Sequence, residues 1–577
     1  MAGSQPSCAN NPECQKDGKS ACTNCRLVLY CSAACQKSHW QFHRTDCRSE
    51  LNKLTWLPSW VLENRSPKIQ PSFGPNKDFI GDMPAFDLIN LADNEGRDYD
   101  GPLGILFAAS GDLRNVVKTI TELPEDYNGL LEIVVNDHDT DIVCRNVILL
   151  LLAIAIEDDD DAVESMIHVW YSAFIRESDI ELLDGFRPLV ERVCTKYEGS
   201  DCDHPVGEEW DFEKFTLVPI MKLESWNYLL SFLEAPFGYT PTLAHKARTL
   251  ATKVQSRKDY RERFLYNQPP ARRVAYEKFC DDGMVLPFGA SREEFCIPNP
   301  TFFQHWSQWP MKDDADPTAG WPSEEVFATY TGPATADVYG KLFFYLRRVF
   351  KVFRDRLRSL KIIIEVAEDC VTPLSNKLND ESFDRIDVSN LSDPGLAGIK
   401  RTLNLMVPLL KQPSENPHAT LVTLFMSAVT RTVNDSDRKR DIGPKGEAWK
   451  RLKQYMPALN KALPSISHAD CGKLNAAIQL VANYDSVFDR YMEKHEFAEA
   501  AESVGAAIKS DHTIVDKWPF KVKLRPGQPG AQEEFERRLR DRCLGQEHYV
   551  EWKRVAASVT DKTEKTPGMP NVGKLAI

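Results

Sequence analysis

The chain has no excess of positive charge. Lysine and arginine number 71 against 84 aspartates and glutamates, a formal charge of −13. A general nucleic-acid binder needs surplus Lys and Arg to neutralise phosphates, so the balance argues against that class. The chain also lacks a long apolar run. The longest, Val147 to Ile156, is too short to span a bilayer and reads as a buried helix. The polar N-terminus has no apolar core of a secretory signal. A P-loop and a nucleophile elbow are both missing. Cysteine is thin over most of the length: of 15, eight are scattered singly beyond residue 50. That distribution argues against a disulfide framework and for a reducing, intracellular setting, cytoplasmic or nuclear, with no membrane contact. The acidity lies in the body, most sharply at Glu157-Asp158-Asp159-Asp160-Asp161, which reads as a solvated helix end or loop.

The other seven cysteines crowd into the first 47 residues. With one histidine they form the series Cys8, Cys14, Cys22, Cys25, Cys31, Cys35, His43 and Cys47. Such soft and borderline ligands suit two closed tetrahedral zinc sites. Cys22 and Cys25 have the spacing of a zinc knuckle. Cys31 with Cys35, and His43 with Cys47, each stand one helical turn apart, so both members can face one metal. About fifty residues cannot bury enough apolar area to fold alone, so metal supplies the folding free energy. On this reading the finger loses its fold without zinc while the body keeps its own unfolding transition.

Tyr30-Cys31-Ser32, Cys35-Gln36, His39-Trp40 and His43 resemble the MYND finger pattern, over residues 8 to 47. The resemblance implies cross-braced ligation, with Cys8, Cys14, Cys31 and Cys35 on one zinc and Cys22, Cys25, His43 and Cys47 on the other. The first pair departs from the pattern, with five intervening residues where two is commoner. His39 is an alternative ligand; the family pattern puts the metal on His43. MYND fingers are mainly interaction modules that grip proline-containing peptides in extended form, and Gln36 and Trp40 match positions lining that groove. No recognition helix rich in Arg, Asn and Gln is present, which argues against sequence-specific DNA binding. No SET-domain signature accompanies the finger, so the lysine methyltransferases that carry MYND insertions are not supported.

Residues 51–100 read as a connector, with a short helical piece over Pro84 to Leu91. Gly104 to Ala109 is a continuous apolar run, the mark of a strand buried on both faces. Ser110-Gly111-Asp112 is a turn and Leu113 to Glu122 a helix. Leu131 to Val135 is a second strand, closed by Asn136-Asp137-His138-Asp139, and Asp141 to Ile156 a second helix. This order opens a doubly wound α/β domain. From 157 to 354 the alternation stops and the segment reads as a large, mainly helical insertion. It resumes with strands at Leu360 to Val366, Phe383 to Val388 and Ala419 to Phe425, and a helix over Gly395 to Lys411. The expected architecture is therefore a small finger over 1–50 and an α/β sheet split between 101–156 and 355–430. A helical C-terminal region spans 431–560, with an edge strand pair over His512 to Leu524. Residues 561–577 form a disordered tail.

The order of the body resembles a class I S-adenosylmethionine-dependent methyltransferase, a Rossmann-like fold. The resemblance implies that Gly111 and Asp112 line the methionine tail, Asp137 the ribose, and Asp369 with Cys370 the adenine. It also puts the acceptor side on the Phe383-Asp384-Arg385-Ile386 strand. Against this, Ala109 and Leu113 stand where glycine would let backbone meet ligand. Gly111-Asp112-Leu113-Arg114, Lys118-Thr119, Asn136-Asp137 and Arg145-Asn146 look like the N-terminal domain of dynein axonemal assembly factor 3, which recurs in fungal MYND-finger proteins. That likeness extends loosely to Glu415 through Leu421 and implies a shared fold without established chemistry. The expected function is an adaptor or assembly protein whose finger docks a proline-containing peptide. The alternative is a methyltransferase that the finger recruits to its substrate.

Overall fold

The computed structural model describes residues 7–75, 77–199, 204–304, 308–378, 382–443, 445–460 and 468–555. The tail expected at 561–577 lies outside them. The finger is a two-stranded hairpin, β1 (Ser20–Ala21) against β2 (Leu29–Tyr30), followed by helix α1 (Ala33–Cys47). Ser32 caps α1 by accepting from the Cys35 backbone N–H at 3.3 Å.

The body is built on one ten-stranded sheet. Its first half holds β3 (Leu103–Ala108), α2 (Arg114–Glu122), β4 (Leu131–Asp137) and α3 (Thr140–Ala155). Every residue of β3 is buried, as befits a parallel strand covered on both faces. Helix α4 (Asp159–Tyr171) follows, then β5 (Val206–Gly207), β6 (Trp210–Phe212), β7 (Phe215–Met221) and α5 (Val338–Ser359). The second half holds β8 (Ile362–Glu368), β9 (Arg385–Asp387), β10 (Thr420–Phe425), β11 (Ala506–Ile508) and β12 (His548–Arg554). Across the sheet the order is β11-β12-β10-β9-β3-β4-β8-β7-β5, with β6 paired to β7. The strands from β10 to β7 run parallel, and β12 is antiparallel to both β10 and β11. The two halves of the α/β pattern thus share one sheet, with β3 and β8 flanking β4.

The mainly helical segment 157–354 also adds β5, β6 and β7, and β7 pairs in parallel with β8. Two expectations need correction. In the C-terminal region the edge strand pair is not where it was expected. Its strands lie at β11 and β12, and 512–524 carries none. Residues 84–91 form no helix; a single 3₁₀ turn begins at Leu91. The connector is also more than a tether, because Phe79, Ile80, Leu88, Ile89 and Leu91 are buried in the main core.

The acidic run ends α3 and starts α4. Asp158 caps α4, accepting from Asp160 and Asp161 N–H at 2.9 Å. Asp159 pairs with Arg354 and Arg358 of α5 at 3.0 and 2.7 Å. Helix α5 packs on α2, α3 and α4, so these pairs tie the insertion to the first half of the sheet. The finger joins the same core. Cys8, Ala9, Leu27, Val28 and Tyr30 lie in one apolar cluster with Phe288, Val285 and Trp170. No helix among the described residues is long and apolar enough to cross a membrane.

Candidate zinc centre and the strand-end crevice

Two ligand groups form in the finger. The ligand atoms of Cys8, Cys14, Cys31 and Cys35 all lie within 4.8 Å of one another, and so do those of Cys22, Cys25, His43 and Cys47. Individual edges are Cys14–Cys31 at 3.6 Å, Cys31–Cys35 at 3.5 Å and Cys22–Cys47 at 3.7 Å. A tetrahedral zinc with sulfur at about 2.3 Å sets sulfurs roughly 3.8 Å apart. Cys25 Sγ and His43 Nε2 are 3.4 Å apart, near the sulfur–nitrogen edge of about 3.6 Å from the same geometry. The donor sets and their spacing fit two zinc ions. Helix α1 supplies Cys35, His43 and Cys47, which is why one amphipathic helix can brace both sites.

At Cys22 burial is outweighed by the Cys25 and Asn24 backbone N–H groups, and the thiol is shifted down. Burial decides the shift at the Cys8 and Cys25 thiols and at His43. It pushes the Cys8 thiol up to about 11 and the Cys25 thiol higher still. It pushes the His43 imidazole down to about 4. Zinc therefore displaces thiol protons on binding and meets a histidine that is already neutral. His39, the alternative ligand, lies outside both groups; its Nδ1 is 3.0 Å from the Tyr30 hydroxyl. The wide Cys8–Cys14 loop has a structural use. Asn11 Nδ2 donates to Cys8 O and to Gly289 O of the insertion, each at 3.1 Å. Gln36 and Trp40 lie half-buried on α1. The Trp40 ring lies against His43 and under the Arg48 guanidinium at 5.3 Å.

At the carboxyl ends of the strands the five body candidates are engaged by the chain itself. The turn after β3 holds Ala109 at φ 54° and Gly111 at φ 63°, left-handed conformations that favour glycine. Asp137 accepts from the Gly111 N–H at 3.0 Å and the Asp139 N–H at 2.9 Å. Burial raises its pKa. Asp112 is clamped by Arg114 Nε at 2.7 Å, and that guanidinium also donates to Met83 O and, at 2.6 Å, to Gly320 O. Asp369 accepts from the Cys370 N–H at 2.8 Å and from Lys377 Nζ at 2.7 Å, and Cys370 is exposed. Leu113 is buried at the start of α2.

Several residues of this crevice were not singled out from sequence. Lys77 of the connector pairs with Asp139 and, at 2.8 Å, with Asp141. Glu368 ends β8 and accepts from Thr140 Oγ1, Ser225 Oγ and Lys222 N. Asp387 ends β9 and accepts from Asn115 Nδ2 at 3.0 Å. Asn115 in turn accepts from the Phe86 N–H at 3.3 Å, and Phe86 meets Tyr549 edge-on at 5.8 Å. Asp384, by contrast, lies before β9 and accepts from the Gly104 N–H at the start of β3, at the opposite ends of the strands. An acid closing a buried strand was the available signal for Glu368 and Asp387.

Two family models match the chain. The MYND finger model matches residues 8–47. A model described as a domain of unknown function (DUF4470) matches residues 79–175, from the buried part of the connector through β3, α2, β4, α3 and α4. No curated protein and no solved structure matches significantly. The chain thus joins a zinc-binding interaction module of the MYND type to an α/β body that includes the matched domain.

Proposed function

We propose that the protein is an intracellular adaptor or assembly factor. Its zinc-held finger docks a proline-containing peptide along Gln36 and Trp40, and its α/β body serves as scaffold and second binding surface. The observation that carries the choice of adaptor over enzyme is the state of the strand-end crevice. Asp112 and Asp137, the acids a methyltransferase would turn toward its cofactor, bond instead to Arg114 and to the Gly111 backbone. The connector also reaches the start of α2, where the Phe86 N–H donates to Asn115 Oδ1.

The second reading, an S-adenosylmethionine-dependent methyltransferase, is favoured by the strand order. Setting aside β7, which comes from the insertion and adds a parallel strand outside β8, and taking β3, β4, β8, β9 and β10 as first to fifth, the sheet reads third, second, first, fourth, fifth. Reversal falls between β3 and β9, where doubly wound folds bind nucleotides. The antiparallel β12 beside the fifth strand, with β11 outside it, extends the likeness. On either reading the domain limits are those of the finger, the split sheet and its insertion.

Calorimetric titration of the zinc-loaded chain separates the two. Heat from a proline-containing peptide, lost in Trp40→Ala with zinc content unchanged, supports the adaptor. Saturable heat from S-adenosylmethionine at micromolar concentrations, and no response to any peptide of a proline-scanning array, sinks it.

A further inference from the structure

Where the finger meets the insertion, a cavity of about 360 Å³ opens to solvent. Leu27 and Leu29 of the finger form one wall; Phe295, Phe343 and His168 of the body form the other. The volume falls within the range of ligand pockets, about 300–1,000 Å³. Its buried charges are engaged by the chain. Glu164 holds Arg176 at 3.0 Å and also Arg347, and Arg176 binds Asp179 at 2.9 Å. Asp337 accepts from the Phe288 and Gly340 N–H groups at 2.7 and 2.9 Å, and Glu294 stands exposed at the rim. An ionic ligand seated in the interior would have to displace these partners.

His168 is fully buried, edge-on to Phe295 at 4.6 Å. Burial pushes its pKa down to about 3, so the ring is neutral. Its tautomer follows from Ser172. The Val285 N–H donates to Ser172 Oγ at 3.2 Å, and His168 Nδ1 lies 3.1 Å from that oxygen. The buried hydroxyl must place its own proton, and Nδ1 is its acceptor among the described residues. The ring proton therefore sits on Nε2, which has no protein partner among the described residues.

We propose that this seam cavity binds a small, uncharged, largely apolar ligand whose carbonyl or amide oxygen accepts from His168 Nε2. It is distinct from the peptide-docking surface at Gln36 and Trp40 and does not depend on that reading. Its finger wall is held by metal, since the Leu27 N–H lies 3.5 Å from Cys25 Sγ.

The test is saturation-transfer and calorimetric titration of the zinc-loaded full chain with N-benzylacetamide. Benzylammonium and phenylacetate serve as charged controls. Binding is expected for the amide alone. His168→Phe keeps the ring and removes the donor, and should weaken the amide about three- to tenfold, the worth of one neutral hydrogen bond. Ser7→Trp, at the exposed rim of the cavity, should abolish binding without disturbing the fold. The proposal is overturned by absence of binding at millimolar amide, by unchanged affinity in Ser7→Trp, or by tighter binding of either charged control.

Discussion

At the end of β4, the Asp137 carboxylate gathers two backbone N–H groups from two different loops. The resemblance implied a ribose ligand there; the fold shows the carboxylate tying the turn after β3 to the end of β4. Asp137→Ala leaves the half-buried Gly111 N–H without its acceptor, so it should cost about 0.5–1.5 kcal/mol in urea unfolding, the worth of a hydrogen bond. A loss of only a few tenths would show that the turn holds its left-handed shape unaided. His168 makes the second residue-scale prediction. Its value falls from 6.5 to about 3 on folding, through burial. The unfolded chain therefore takes the proton first, and stability present above pH 6.5 is lost as pH falls toward the folded value. Relative to wild type, His168→Phe should gain stability on acidification below pH 6.5, approaching about 1.4 kcal/mol per pH unit. A pH-independent difference in unfolding midpoints between the two proteins would contradict it.

The elements that periodicity found are those with one simple environment. β3 and β10 are buried on both faces; β3 reads as an unbroken apolar run, and β10 is interrupted only by threonine. β12 was missed because Glu551 and Lys553 interrupt its pattern. Glu551 is nevertheless fully buried, since it accepts the N–H groups of Thr513, Ile514 and Val515 at 3.0, 2.8 and 3.0 Å. β7 was missed because Pro219 reads as a strand breaker. The Cys8–Cys14 loop departs from the finger pattern because it reaches the insertion. A Cβ on Gly289 would stand 2.8 Å from the Ala9 Cβ. Gly289→Val should therefore push the loop off its seat, at about 1–3 kcal/mol by the usual cost of overpacking. Zinc content, read by metal analysis, should stay at about two per chain; a drop to one would mean that docking shapes the first site as well.

Across the whole molecule, the finger is not a bead on a string. Its apolar residues merge with those of the body, which argues for coupled unfolding where the sequence alone suggested an independent body transition. Chelation should release two zinc ions, by the two ligand groups. It should also lower the melting temperature of the body, because structural zinc contributes on the order of 10 kcal/mol to folding. Calorimetric scans with and without chelator test this. A body transition untouched by metal removal would show that the seam contributes nothing to stability.

Zinc ligation was legible in the sequence because it depends on residue type and short spacing; which four ligands share a metal came from the resemblance to the MYND pattern. The alternation of strands and helices was equally legible wherever burial is uniform. Which neighbours the strand-end acids meet was decided only by tertiary structure. Asp112, Asp137 and Asp387 meet partners that include Arg114, Gly111 and Asn115, and a carboxylate at the end of a strand looks the same in sequence whether it faces a ligand or a neighbouring loop. The seam between finger and body was hidden for the same reason. Its contacts join Asn11 to Gly289 and place Leu27 and Leu29 opposite Phe343, hundreds of residues apart. No local pattern records a contact made by chain segments that only folding brings together.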